Sequence, residues 1–149
     1  MILAIDTSGA IAVAAVSDDY SVLAERTEFA PRGHAELLAG MVEAVLADAG
    51  LNQASGERPL RIVVGTGPAT FTGLRVGLVT ARTLGYAWGI PVEGVCSLDA
   101  LGAEFGNCTV VTDARRREVY LATYVDGTRT DGPAVALPAS GRKSNRRGY

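Results

Sequence analysis

Short apolar runs alternate with amphipathic stretches along most of this chain, and the alternation predicts a mixed α/β protein. The apolar run Ile2–Ile5 ends at Asp6, and Ala10–Val16 and Tyr20–Glu28 follow as further strand-like segments. Apolar and β-branched runs of this length, separated by polar turns, are typical of strands. The first thirty residues therefore predict a meander of three strands.

An amphipathic helix is predicted from His34 to Ala49, ending at Gly50. Its apolar positions recur at helical spacing, with the acidic side chains on other faces. The apolar positions are Leu38, Met41, Val42, Val45 and Ala49. After a polar linker, the β-branched run Arg61–Val64 reads as a buried parallel strand.

The stretch Gly65–Gly77 (GTGPATFTGLRVG) predicts that a strand, a tight loop and a helix N-terminus meet at one place. We expect the helix to begin at Thr72, an acceptable N-cap residue. One side of this helix carries almost no side-chain volume, so a second backbone can approach it closely. The small residues, four apart, are Gly73, Gly77, Ala81, Gly85 and Gly89. The spacing does not say whether that backbone belongs to the same chain, a second copy or a different protein.

The remaining pattern completes a mixed sheet with helices on its faces and then starts again. Strand Val92–Val95 and helix Ser97–Phe105 close the first unit, and strands Thr109–Thr112 and Glu118–Val125 open a second. We therefore predict a first domain over 1–106, the opening hairpin of a second over 107–131, and an unfolded basic tail over 132–149.

Composition and charge limit the function classes. No apolar run reaches the roughly 20 residues that a membrane helix needs, and the N-terminus has neither the basic region nor the cleavage site of a signal peptide. We expect a cytoplasmic protein with no membrane partner. The net charge is −2, and all sixteen acidic residues lie at or before Asp131. Such an acidic body disfavours RNA binding by the protein alone. Direct tRNA binding through Arg115, Arg116, Arg117 and the basic tail remains an alternative.

General catalytic motifs do not match. The loop after Val64 lacks the lysine of a P-loop and the third glycine of a dinucleotide fingerprint, and no HExxH is present. His34 is the single histidine, so neither a histidine pair for a metal nor a base near Ser8 or Ser97 is expected. Cys96 and Cys108 lack CxxC spacing and are expected to be free thiols. We assign no catalytic residue and no metal site.

Five segments together resemble the bacterial TsaB (YeaZ) family. They are MILAIDTS at the start, RGHAELL at Arg32–Leu38, the GPGSFTGLR-like string within Gly65–Gly77, IPVEGVCSLDAL at Ile90–Leu101, and TDARRREVY at Thr112–Tyr120. The resemblance covers about the first 125 residues. It implies an actin-like ATPase fold of the RNase H type and a role in making N6-threonylcarbamoyladenosine on tRNA.

The resemblance also implies where nucleotide would bind. In actin-like ATPases each half offers one phosphate loop, and the first here is Asp6, Thr7 and Ser8. The second loop begins at Asp113 and has no glycine to let a backbone approach phosphate. The resemblance implies a longer second half, so the chain is expected to be shortened. The sibling TsaD family carries an HxxxH metal pair on the first helix, whereas Leu38 stands four residues after His34 here.

The favoured hypothesis is a non-catalytic scaffold that binds and activates a TsaD-type transferase. A TsaE-type ATPase would join the complex, the protein would form a homodimer when alone, and tRNA would be reached only through the complex. No cofactor is required by the chain itself, with ATP and Mg²⁺ possible at the level of the complex. The predicted partner surface is a helical one, formed by His34, Leu38, Met41, Val42, Val45, Gly73, Gly77, Ala81 and Gly85. The alternative is a weak nucleotide-binding ATPase or kinase-like enzyme that uses Asp6, with Asp113 as the second carboxylate.

Overall fold

A computed structural model describes residues 1–29, 34–51 and 56–138 of the chain. The chain divides into two compact units, Met1–Ala100 and Leu101–Tyr149. This boundary lies six residues before the one predicted at Gly106. The first unit holds strands β1 (Ile2–Asp6), β2 (Ile11–Val16), β3 (Val22–Glu28), β4 (Arg61–Gly65) and β5 (Val92–Val95) and helices α1 (His34–Asp48) and α2 (Phe71–Trp88).

The five strands form one mixed sheet in the order β3-β2-β1-β4-β5. β1 pairs antiparallel with β2, which pairs antiparallel with β3, so the predicted meander is confirmed. On its other side β1 pairs parallel with β4, and β4 pairs parallel with β5. The central position of β1 brings Asp6, at its carboxyl end, next to the ends of β4 and β5.

Helices α1 and α2 pack on one face of this sheet. Alternate residues of β1, β2 and β4 point into the same core, which is why their burial alternates along each strand. The core residues are Leu3, Ile5, Ile11, Val13, Ala15, Leu38, Met41, Val42, Val45, Ile62, Val64 and Ala81. Arg26 on β3 and Asp48 at the end of α1 form an exposed ion pair of 2.6 Å.

Helix α2 begins one residue earlier than its predicted cap. Its N-cap is Thr70, which has an extended backbone and whose carbonyl accepts the first helical bond from Leu74 N at 3.1 Å. The prediction of Thr72 as N-cap is therefore wrong, because Phe71 and Thr72 already have helical backbone. Gly89 ends the helix with φ of 67°, a left-handed conformation that glycine adopts without strain. Within the described residues no helix is long and apolar enough to cross a membrane.

The second unit begins with the same antiparallel pattern as the first. Helix α3 (Ser97–Phe105) starts in the first unit and ends in the second, followed by β6 (Cys108–Arg115), β7 (Glu118–Val125) and β8 (Thr128–Ala136). These strands pair antiparallel in the order β6-β7-β8. Within this unit Gly102 of α3 lies directly against the ring of the buried Tyr124.

β8 extends into the segment that was predicted to be an unfolded tail. Asp126 and Gly127 both have positive φ and connect the paired residues Val125 and Thr128. An Asp-Gly pair is a strong signal for a two-residue hairpin turn, which explains why the chain folds back as a third strand. Residues 132–136 are therefore part of a strand, whereas residues 139–149 lie outside the described residues.

Candidate functional site

The site that the sequence predicted at the end of β1 is a network of hydroxyl groups around one carboxylate. Asp6 Oδ1 accepts hydrogen bonds from the backbone N–H of Ser8 at 2.7 Å and from its hydroxyl at 2.5 Å. Asp6 Oδ2 accepts one from the hydroxyl of Ser97, also at 2.5 Å. Ser97 Oγ in turn accepts a bond from the N–H of Gly67 at 3.3 Å. Both carboxylate oxygens are thus occupied by groups of their own chain.

Gly65 makes this arrangement possible. A Cβ placed at Gly65 would collide with the carboxylate of Asp6 and lie 2.8 Å from Ser97 Oγ. The end of β4 can therefore carry no side chain while Asp6 and Ser97 meet above it. Gly65 thus leaves room for the carboxylate of Asp6 and the hydroxyl of Ser97 at the end of β4.

Thr7 holds the N-terminal half of α2 against the end of β1. Its side chain is 2% exposed, and its hydroxyl donates to the carbonyl of Gly73 at 2.8 Å. The same oxygen accepts a hydrogen bond from the N–H of Gly77 at 3.2 Å. At Gly77 a Cβ would lie 2.5 Å from Thr7 Oγ1, and at Gly73 it would lie 3.1 Å from the carbonyl of Thr7. Because neither glycine has a side chain, Thr7 can lie directly against α2 at both positions.

The predicted partner surface needs correction. The apolar stripe of α1 is buried in the core, so Leu38, Met41, Val42 and Val45 face the sheet of their own chain. The small stripe of α2 does the same: Gly73 and Gly77 contact Thr7, Ala81 lies in the core, and Gly85 lies against Val92 of β5. Burying the most continuous apolar stripe of each helix within the chain removes the most apolar surface from water. The stripes therefore form the core and not a partner surface. Helix α1 begins at His34, whose side chain lies outside the described residues.

The opposite side of α2 carries a second stripe at helical spacing, and this one faces solvent. We call it the α2 outer stripe: Phe71, Arg75, Val79, Arg82 and Tyr86. Three of its members are large and apolar, with exposed fractions of 78% for Phe71, 52% for Val79 and 92% for Tyr86. The guanidinium of Arg75 lies 6.0 Å from the centre of the Phe71 ring. A shallow groove of about 320 Å³ runs between this stripe and Ala35 of α1.

A second groove, of about 210 Å³, lies beside the Asp6 network on the sheet face away from α1 and α2. Its walls are chiefly small apolar side chains, and its polar lining residues are Asp6, Glu25, Thr27 and Ser97. Ala4, Ala12, Ala14, Val63, Val95 and Cys96 contribute the apolar part. Cys96 is a free, half-buried thiol. Within the described residues, no group of three or more metal-ligating side chains is assembled.

Sequence reasoning missed the part that Ser97 takes in the Asp6 network. It considered Ser97 only as a nucleophile without a histidine base. A serine at the first residue of a helix that follows a strand was the available signal, because such a residue lies at the same sheet edge as Asp6. The second predicted loop, at Asp113, belongs to the other unit, where the Asp113 carboxylate accepts the N–H of Arg115 at 3.1 Å.

Comparison with known proteins identifies the relatives of this chain. The family model described as TsaD, tRNA N6-adenosine threonylcarbamoyltransferase, matches residues 24–142. A Mycobacterium tuberculosis protein of uncharacterised function is 53% identical over 141 residues, covering 93% of this chain and 65% of that protein. The tRNA threonylcarbamoyladenosine biosynthesis protein TsaB of Bacillus subtilis is 34% identical over 128 residues, covering 83% of this chain and 54% of that protein.

A solved structure has a similar fold. YeaZ from Pseudomonas aeruginosa superimposes with a TM-score of 0.69 at 30% identity, covering 91% of this chain and 66% of that one. The chain thus spans slightly less than two thirds of the length of these relatives, or about half for the Bacillus protein. The actin-like, RNase H-like fold class implied by the five sequence segments is confirmed. By sequence and by fold, the chain belongs to the TsaB (YeaZ) family, within the wider group that the TsaD model describes.

Proposed function

We propose that this protein is a non-catalytic scaffold that binds and activates a TsaD-type transferase in forming N6-threonylcarbamoyladenosine on tRNA. The Bacillus relative is named as a biosynthesis protein for that nucleoside. A family model described as the transferase itself matches most of this chain. Both similarities indicate the same tRNA modification. The residues of the α2 outer stripe and of the Asp6 network favour a scaffold over an enzyme.

The α2 outer stripe carries this proposal. Phe71, Val79 and Tyr86 follow one line along the helix with Arg75 and Arg82 between them. Full burial of an apolar side chain of this size is worth about 1.5–3 kcal/mol, so the stripe offers enough apolar surface for a specific contact. Aromatic and arginine side chains are the types enriched at binding hot spots. The stripe has the chemistry of an interface, and it brings together no pair of nucleophile and base.

The Asp6 network supports the non-catalytic part of the proposal. A loop of an actin-like ATPase would offer a carboxylate to the metal ion and small residues to the phosphate. Here the carboxylate of Asp6 accepts hydrogen bonds from Ser8 and Ser97, and these bonds fix its orientation within the chain. The network therefore fastens the end of β1 to the start of α3, which is a structural task. The alternative, a weak ATPase or kinase-like enzyme, would require Asp6 to bind a metal ion in addition to these hydrogen bonds.

The remaining partners belong to the same proposal. The α2 outer stripe and the exposed side of α1 pair with a second copy when no transferase is present, and the two pairings compete. A TsaE-type ATPase joins the assembled complex in the cytoplasm, and ATP and Mg²⁺ act there. The chain reaches tRNA through that complex.

The experiment that tests the proposal is a mass measurement by light scattering, on the chain alone and mixed with the TsaD-type protein of the same source. The wild-type chain is expected to give a one-to-one heterodimer. Val79→Asp, which places a charge in the centre of the stripe, is expected to weaken that heterodimer at least tenfold while the monomer stays folded. Val22→Asp on β3 is the matched control, because Val22 is 58% exposed, close to the 52% of Val79, and lies outside the stripe.

Two results would contradict the proposal. A wild-type chain that stays monomeric beside the TsaD-type protein would contradict the scaffold role as a whole. Equal binding by Val79→Asp and Val22→Asp would show that the partner uses another surface, and the assignment of the stripe would fail.

A further inference from the structure

We propose that the turn between β6 and β7, which we call the arginine hairpin (Arg115, Arg116 and Arg117), contacts the phosphate backbone of tRNA in the assembled complex. This inference rests on the proposed function, because the transferase complex is what brings tRNA to the chain. It adds a nucleic-acid contact surface in the second unit to the protein contact surface on α2.

The backbone of the hairpin is the first observation. Arg115 pairs with Glu118, so Arg116 and Arg117 form a two-residue turn. The φ angles of the three arginines are 66°, 52° and 64°. Turns with two consecutive positive φ values strongly favour Asn-Gly or Asp-Gly, because residues with larger side chains are strained there.

Three consecutive arginines therefore occupy positions where the backbone favours glycine or asparagine. The turn at the other end of β7 has the residue types that this conformation favours, because Asp126 and Gly127 occupy its two positive-φ positions. Unfavourable residues that persist in a strained conformation point to a role for their side chains. At this turn, the role is the presentation of three guanidinium groups at one tip.

The surroundings of the hairpin hold its base and leave its tip open. Asp113 accepts the N–H of Arg115 at 3.1 Å, and its carboxylate lies 3.9 Å from Arg115 Nε. The ladder between β6 and β7 fixes both arms of the turn. All three arginines are exposed, and within the described part of the chain neither Arg116 nor Arg117 forms an ion pair. Two cationic side chains are thus available to a polyanion at a fixed position.

The chemistry of guanidinium favours phosphate. Its planar fork donates two parallel hydrogen bonds to phosphate oxygens and keeps its charge at every physiological pH. The chain as a whole has a net charge of −2, so its field does not attract RNA. Two or three phosphate contacts add a salt-dependent increment to a complex that is already formed, and little to the chain alone.

The test is tRNA binding by the reconstituted complex of full chain and TsaD-type protein, measured over a series of KCl concentrations. The variant Arg116→Asn/Arg117→Gly removes two charges and installs the sequence that the turn favours, so the hairpin stays folded. It is expected to lower tRNA affinity at least tenfold at low salt. The slope of log affinity against log salt is expected to become shallower by roughly 1.4–1.8, for two lost phosphate contacts.

Two controls isolate the position and the charge. Arg129→Gln removes a charge from β8 of the same unit and is expected to leave affinity and slope unchanged. Arg116→Lys/Arg117→Lys keeps both charges without the planar fork and is expected to retain most of the salt slope.

The outcomes separate this inference from the proposed function. A complex that forms normally and binds tRNA equally well with and without the two arginines would overturn the inference and leave the scaffold role standing. Loss of transferase binding in the Arg116→Asn/Arg117→Gly variant, with no tRNA effect beyond it, would assign the hairpin to a protein contact instead. A wild-type chain that does not join the TsaD-type protein would overturn both.

Discussion

Exchanging glycine for alanine at two helical positions tests how α2 packs on β1. Gly40 in α1 and Gly77 in α2 are both interior helical glycines, so alanine gains about 1 kcal/mol of helix propensity at either position. They differ in surroundings. A Cβ at Gly40 meets no atom within 4 Å, whereas a Cβ at Gly77 lies 2.5 Å from Oγ1 and 3.2 Å from Cγ2 of Thr7.

The two substitutions are therefore expected to change stability in opposite directions. Gly40→Ala is expected to stabilise the first unit by about 0.5–1 kcal/mol. Gly77→Ala forces Thr7 and α2 apart, and overpacking of this kind costs about 1–3 kcal/mol. Displacement of Thr7 also weakens its bonds to Gly73 and Gly77, at about 1 kcal/mol for each bond lost. After the gain of about 1 kcal/mol in helix propensity is subtracted, Gly77→Ala is expected to destabilise the unit by about 1–4 kcal/mol, depending on whether one or both bonds are lost.

Urea unfolding followed by the fluorescence of Trp88 measures both changes. Trp88 is the only tryptophan and lies on α2, so its signal reports the first unit without a contribution from the second. The midpoint for Gly77→Ala should fall and that for Gly40→Ala should rise, at an unchanged slope. A Gly77→Ala variant as stable as Gly40→Ala would refute the reasoning, because it would mean that the small stripe of α2 faces open space and not Thr7.

Three further outcomes are expected. Ser97→Ala removes the hydroxyl that links Asp6 to Gly67 and should lower the free energy of unfolding by about 1–2 kcal/mol in the same urea assay; an unchanged midpoint would dismiss the network as a stabilising feature. The hydroxyl of Ser17, with further bonds from Ser21, lowers the pKa of Asp19, so this carboxylate favours the folded state above its unfolded pKa and loses that effect as pH falls through the lower folded value. An NMR titration should place the Asp19 midpoint below the ordinary range and return it upward in Ser17→Ala; identical midpoints in the two proteins would contradict this. Calorimetric titration of the chain alone with magnesium ATP should show no binding at micromolar concentration, and micromolar affinity would favour the ATPase alternative.

The elements of the first unit could be predicted because their signals are local. β1, β4 and β5 are short apolar runs, and α1 has an apolar stripe that ends at a glycine, so each lies within a residue or two of its expected bounds. Periodicity identifies which residues share a face of a helix. It does not say what the face meets, so the sequence predicts a partner surface from stripes of α1 and α2 that the fold buries.

The contacts of the Asp6 network could not be predicted from the sequence, for a different reason. Asp6 and Ser97 meet only because β1, β4 and β5 lie side by side with their carboxyl ends at one edge, and the two residues are far apart in the chain. The strand β8 was not predicted, although a local signal for it is present. The Asp126-Gly127 pair is a hairpin signal in the sequence, whereas the basic composition farther along the chain is typical of an unfolded tail.

The parallel pairing of β1 with β4 also sets the order in which the first unit can form during synthesis. β1, β2 and β3 are joined by short turns and can pair as soon as they emerge from the ribosome, whereas Ile2 must wait for its partner Arg61. Until then the parallel edge of β1 is unpaired and the core face of the meander is covered at most by α1. Closing so long a loop is slow relative to hairpin formation, so the folding rate of this unit depends on the segment between α1 and β4. Changes in the length of that segment are expected to alter how fast the nascent chain reaches its native state more than how stable that state is.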